Sequence, residues 1–242
     1  MTQGATGSTS EVAPGVALHS ARPSNQLVAS PWHTLLVLAA QVYLSYRGSA
    51  RVGHLLVAQP DRIALYERTM LSEWLLLGLV LLGVWWHGSS LYSVLGERWR
   101  SVGRFLRDAG IGALFLIVAI VVGSVLSQGI ERSSARAMLP QTRNEILVWM
   151  ALALTAGICE EALYRGYLQK QFSAMTRNVP TGIVLSAALF GLAHGYQGLG
   201  QALQIAVLGV LAGILAYWCK SVRPGMIEHT LQDVLGALIR HP

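Results

Sequence analysis

Apolar residues run along this chain in long blocks separated by short polar stretches, and the length of each block decides what it can form. About 20 consecutive apolar residues cross a bilayer as a helix. Blocks of that kind occupy roughly 27–46, 75–86 with its flanks, 111–128, 144–172, 180–196 and 201–219. Arg223-Pro224-Gly225 breaks the chain before a last block at about 226–240, short for a crossing and expected to pack inside the bundle. Asn178-Val179-Pro180 reads as a turn and a new helix start, because Pro fits the first turn of a helix. The expected fold class is all-α, a multi-pass transmembrane helix bundle of about seven spans.

Polar stretches refine the picture. Residues 1–26 are rich in Gly, Ser, Thr, Ala and Pro without apolar periodicity, so a disordered tail is expected. In the segment at about 60–73, Ile63, Tyr66, Met70 and Trp74 recur at three- and four-residue spacing, with Arg62, Glu67 and Arg68 elsewhere around the wheel. That pattern predicts an amphipathic interfacial helix leading into the second span. The chain thus divides into the tail, membrane helices over 27–143 and a polar-studded membrane core over 144–242. Arg98, Arg100, Arg104 and Arg107 form the densest basic cluster and place their loop and the N-terminus in the cytoplasm, whereas Arg47, Arg51, Arg62 and Arg68 argue the other way.

Composition agrees with a membrane protein. Of 242 residues, 53% are hydrophobic and 12% charged, against about 25% charged in a soluble domain. The net charge of +6 is scattered between apolar blocks, which suits loops on an anionic leaflet and excludes nucleic acid as a partner. Cys159 and Cys219 both sit in apolar helical sequence without metal-type spacing and read as free thiols.

Charges inside apolar blocks carry the chemistry, because each costs several kcal/mol unless it is paired or faces a polar cavity. Glu160, Glu161 and Arg165 fall within a turn and a half of one helix. Glu161 and Arg165, spaced i, i+4, can pair, which taken alone is a structural ion pair. Glu160 points about 100° away and remains the spare carboxylate, with His194 a candidate partner. Phe190 precedes His194 by four residues and gives its imidazole an aromatic wall; a lone histidine there also suits a simple core hydrogen bond. His229 and Asp233 again share one helix face, as a catalytic pair or as a tie between helices. Three polar faces in a chain so short of charge point to one intramembrane site with the parts for peptide hydrolysis: a carboxylate base, imidazoles and oxyanion donors. No HExxH, GxSxG or P-loop pattern occurs.

Glu160-Glu161-Ala-Leu-Tyr-Arg165, Phe190 to His194 and His229 to Asp233 resemble, in order, the EExxxR, FxxxH and HxxxN/D motifs of the CAAX prenyl protease and bacteriocin-processing (CPBP, or Abi) family. The resemblance covers roughly 150–240 and implies a multi-pass intramembrane endopeptidase. It implies that Glu160, positioned with His194, activates water, that His229 and Asp233 support the oxyanion, and that Glu161 and Arg165 hold the helix. Where the best-studied pattern has Asn, this chain has Asp233, which when ionised only accepts hydrogen bonds. It is then either protonated or an acceptor that orients His229. Metal binding is a further reading, since Glu160, His194, His229 and Asp233 offer N and O ligands to a Zn-type ion; the metal-free mechanism is favoured.

The short chain looks more like bacterial members, which implies the plasma membrane and a peptide precursor or membrane protein as substrate. The alternatives are a non-proteolytic immunity or scaffold protein that binds a peptide and, last, a proton-coupled transporter, for which the expected internal repeat is missing.

Overall fold

The computed structural model describes residue 1 and residues 26–55, 61–130 and 133–238, with backbone only over 51–55. Residues 2–25 of the expected tail and the last residues of the expected final helix lie outside the described residues. Among the described residues every regular element is helical: α1 (Pro31–Leu55), α2 (Arg62–Trp86), α3 (Tyr92–Leu95), α4 (Val102–Leu126), α5 (Ser133–Ala137), α6 (Arg143–Glu161), α7 (Gln169–Thr176), α8 (Val179–Ala193), α9 (Leu199–Cys219) and α10 (Arg223–Leu238). A π-helical segment, Ala162–Leu168, joins α6 to α7 without a break.

The helix ends follow from their sequence. Asp61 Oδ1 accepts from the Ala64 N–H at 3.0 Å and starts α2. Thr142 and Glu145 form a reciprocal capping box at α6. Asn178 accepts from the Thr181 N–H at 2.9 Å, with Pro180 in the first turn of α8. Arg177 and Lys220 adopt left-handed backbone and end α7 and α9.

Among the described residues, four helices are long and apolar enough to cross a membrane: Arg62–Trp86, Val102–Leu126, Arg143–Thr176 and Leu199–Cys219. This corrects the expected seven. The second half of α1 carries Ser45, Arg47 and Ser49, which dilute its apolar run. The apolar α8 has 15 residues, about 22 Å at 1.5 Å per residue, short of a hydrocarbon core of about 30 Å. α10 has 16 residues and carries Glu228, His229 and Asp233. The segment expected as an interfacial helix leading into the second span is the first half of α2, one continuous 25-residue helix.

The rod α6–π–α7 is the centre of the bundle. Its most apolar stretch is 44% buried, against 17–22% for the other three crossing helices. It packs on α2 and α10, α8 packs between the rod and α9, and α10 also lies along α4. Glycines permit the closest approaches: a methyl group at Gly157 would meet the Met226 carbonyl at 2.8 Å, and one at Gly166 would run into the Val94 carbonyl. Tyr164, Tyr167 and Leu168 fill the core with Val37, Val80 and Val84. Gln171 lashes the chain before α1 to the rod, accepting from the Val28 N–H at 2.8 Å and donating to the Ala29 carbonyl at 3.0 Å and Thr34 Oγ1 at 2.6 Å. Outward faces of α2, α4 and α9 present Leu82, Leu114, Ile117, Val121 and Leu203.

Candidate active site

Glu161 and Arg165 pair as their spacing predicts, Nη1 to Oε1 at 2.7 Å with both side chains buried. The pair survives the change to π geometry, a form that recurs at functional sites. Arg165 also donates to the Gly209 carbonyl at 3.4 Å, and its guanidinium lies 4.4 Å from the centre of the Phe190 ring. Phe190 is the hub of the site: its ring meets Tyr164 and His194 edge-on, each at 4.8 Å, and His229 at 6.1 Å. The Pro224–Gly225 start of α10 comes close to Glu161, where a side chain on Gly225 would meet Oε2 at 2.8 Å.

His229 sits among three carboxylates. Its Nδ1 is 3.4 Å from Glu161 Oε1, and its Nε2 is 3.6 Å from Glu160 Oε2 and 3.7 Å from Asp233 Oδ2. The partner of Glu160 is therefore His229 rather than His194. His194 ends α8, and its Nδ1 lies 2.8 Å from the Phe190 carbonyl. A carbonyl only accepts, so Nδ1 carries the proton and Nε2 is left with the free lone pair in the neutral ring. Trp149 donates to the Asp233 carbonyl at 3.1 Å and fixes α10 against α6.

Glu160, His194, His229 and Asp233 line one cavity of about 280 Å³ whose remaining wall is largely apolar, with Leu76, Leu77 and Leu163 among its residues. Tyr196, in the 3₁₀ turn Gly195–Gln197, lines it as well; burial pushes its phenol up, so it stays a neutral O–H. Sequence reasoning missed Glu73 of α2, which lines the same cavity and whose Oε2 is buried without a hydrogen-bond partner. Its signal was a single acid inside the apolar run LSEWLLLG. Among the described residues, no group of three or more His, Cys, Asp or Glu side chains is arranged to hold a metal ion. Cys159 and Cys219 are both free thiols.

Residues 142–235 match the family model described as type II CAAX prenyl endopeptidase Rce1-like. No curated protein and no solved structure matches the chain.

Proposed function

Over residues 142–235 this chain belongs to the type II CAAX prenyl endopeptidase Rce1-like family, and from that membership we propose that it is an intramembrane endopeptidase acting on a membrane-associated or lipid-modified peptide. The observation that carries the reading is the convergence of Glu160, His194, His229 and Asp233 on one largely apolar cavity. An apolar wall suits a lipid-bearing or hydrophobic peptide, and the polar residues suit hydrolysis.

In this reading Glu160 takes a proton from a water whose oxygen attacks the scissile carbonyl carbon. The lone pair on His194 Nε2 holds the same water. The carbonyl π pair moves onto oxygen, and an N–H of His229 donates to that oxyanion. Collapse breaks the C–N bond, and the proton on Glu160 passes to the leaving amine, so one water becomes part of the acid and amine products. Asp233, an acceptor 3.7 Å from His229 Nε2, orients the imidazole.

The test compares peptide termini in membranes of cells carrying wild type, Glu160→Gln or no copy. A fragment present only with wild type is expected, with cleavage falling about 10²–10⁴-fold in the variant. Wild-type cleavage by Glu160→Gln would leave the scaffold reading in front. This mechanism uses no metal, so 1,10-phenanthroline is expected to leave cleavage unchanged. Loss of cleavage that Zn²⁺ restores would assign the donors to a metal instead.

A further inference from the structure

A second cavity, of about 290 Å³, meets the first at His194, His229 and Asp233 but has a different lining. Where the first is walled by leucines of α2 and α6, the second is edged by the amides of Gln201, Gln204 and Gln232, which line it alone, and Gln197 is shared between the two. Four acceptor oxygens of its lining residues have no hydrogen-bond partner: Glu161 Oε2, Gln201 Oε1, Gln204 Oε1 and Glu228 Oε1. Glu161, Gln201 and Glu228 are 2%, 8% and 5% exposed, so these oxygens are shielded from bulk solvent. The orientation of Gln204 is set by its Nε2, which donates to the Gly123 carbonyl at 2.9 Å and leaves Oε1 free.

Buried acceptors without donors cost roughly 1–3 kcal/mol each. A bundle that leaves four of them around one space has built that space for a donor. The lining also supplies donors, the Gln201 amide and the Arg165 guanidinium among them. A ligand that both donates and accepts, and is small enough to occupy several such positions at once, is water. Amides and carboxylates at membrane depth are tolerated where they face water.

We propose that this cavity is a water compartment, separate from the substrate cavity, that supplies the hydrolytic water to Glu160 and His194. Substrate occupies the leucine-walled side, water the glutamine-edged side, and the two meet at the imidazoles. The supply role rests on the protease reading; the compartment itself does not.

The experiment is X-ray hydroxyl-radical footprinting of the full-length protein in lipid nanodiscs, where radicals form from water in place and oxidise adjacent side chains. Phe115 and Leu208 line only the second cavity, while Leu203 lies on the outer surface of the same helix as Leu208. Oxidation of Leu208 several-fold faster than Leu203 is expected, a comparison between identical side chains. Equal rates mean a dry cavity and overturn the proposal, whether or not any peptide is cut. In Gln201→Leu and in Gln201→Leu/Gln204→Leu, labelling of Phe115 and kcat are expected to fall together, with kcat down about tenfold and KM unchanged. Variants that lose the label and keep kcat overturn the supply role. A wild-type chain that labels here and cleaves nothing overturns that role too, and with it the protease reading, leaving the compartment.

Discussion

Arg165 touches more of the site than any of its neighbours' spacing suggests: a carboxylate, a backbone carbonyl of α9 and the face of Phe190. Both members of the Glu161–Arg165 pair are buried, so removing one strands the other's charge. Arg165→Met is expected to destabilise the protein by about 3–5 kcal/mol, read as a drop in the unfolding midpoint in detergent. Glu161→Leu/Arg165→Met should recover much of that loss, because no charge is left unpaired; a double variant as unstable as the single would mean the pair is not the cause. The pair was legible in the sequence because i, i+4 spacing is local. The partner of Glu160 was not. Both His194 and His229 were available by chemistry, and only the packing of α10 on α6 sets which imidazole comes within 3.6 Å. Glu73 escaped because its neighbours read as the end of an interfacial helix, and a lone acid there has an ordinary solvated explanation.

Among elements, glycine positions separate contact from filler. Gly157 and Gly166 lie where α10 and α3 come against the rod, and Gly78 on α2 has nothing within 4 Å of an added methyl. Gly157→Ala and Gly166→Ala are expected to cost about 1–3 kcal/mol through overpacking. Gly78→Ala should be neutral or stabilising by up to about 1 kcal/mol through helix propensity. Thermal unfolding of the three variants side by side checks the ordering, and a destabilising Gly78→Ala would contradict it. The helix positions of the C-terminal half were readable from caps and breakers: Asn178, Pro180 and Arg223-Pro224-Gly225 all stand where helices start. The number of crossings was not, because apolar run length alone does not tell a helix that spans from one that is sheltered by its neighbours. α8 and α10 belong to the second kind.

At the scale of the molecule, the family match begins at residue 142, yet the cavity does not. Glu73, Leu76 and Leu77 of α2 form one wall of it, and Gln171 ties the chain before α1 to the rod. A chain beginning at residue 139 therefore keeps every motif residue and loses a wall. It is expected to accumulate poorly and to cleave nothing, and supplying residues 1–138 as a separate chain should restore cleavage. Full activity of the shorter chain alone would show that the first five helices, α1 to α5, are dispensable. Gln171→Leu is a milder form of the same cut, stranding the Val28 N–H and the Ala29 carbonyl, and should destabilise by about 1–3 kcal/mol.

The π segment makes the rod sensitive to phase. Seven residues, Ala162–Leu168, are wound more loosely than the helix on either side, and Arg165 and Gln171 face their partners only with that winding in place. An i→i+5 turn holds about one more residue than an i→i+4 turn, so losing one residue here would let the segment relax to ordinary α-helix and leave Gln171 near its bearing toward Val28. An added residue has no such reserve and would turn everything beyond it by about 100°, swinging Gln171 away while Glu160 kept its bearing. The stretch is therefore asymmetric: it can give up a residue more readily than it can take one in.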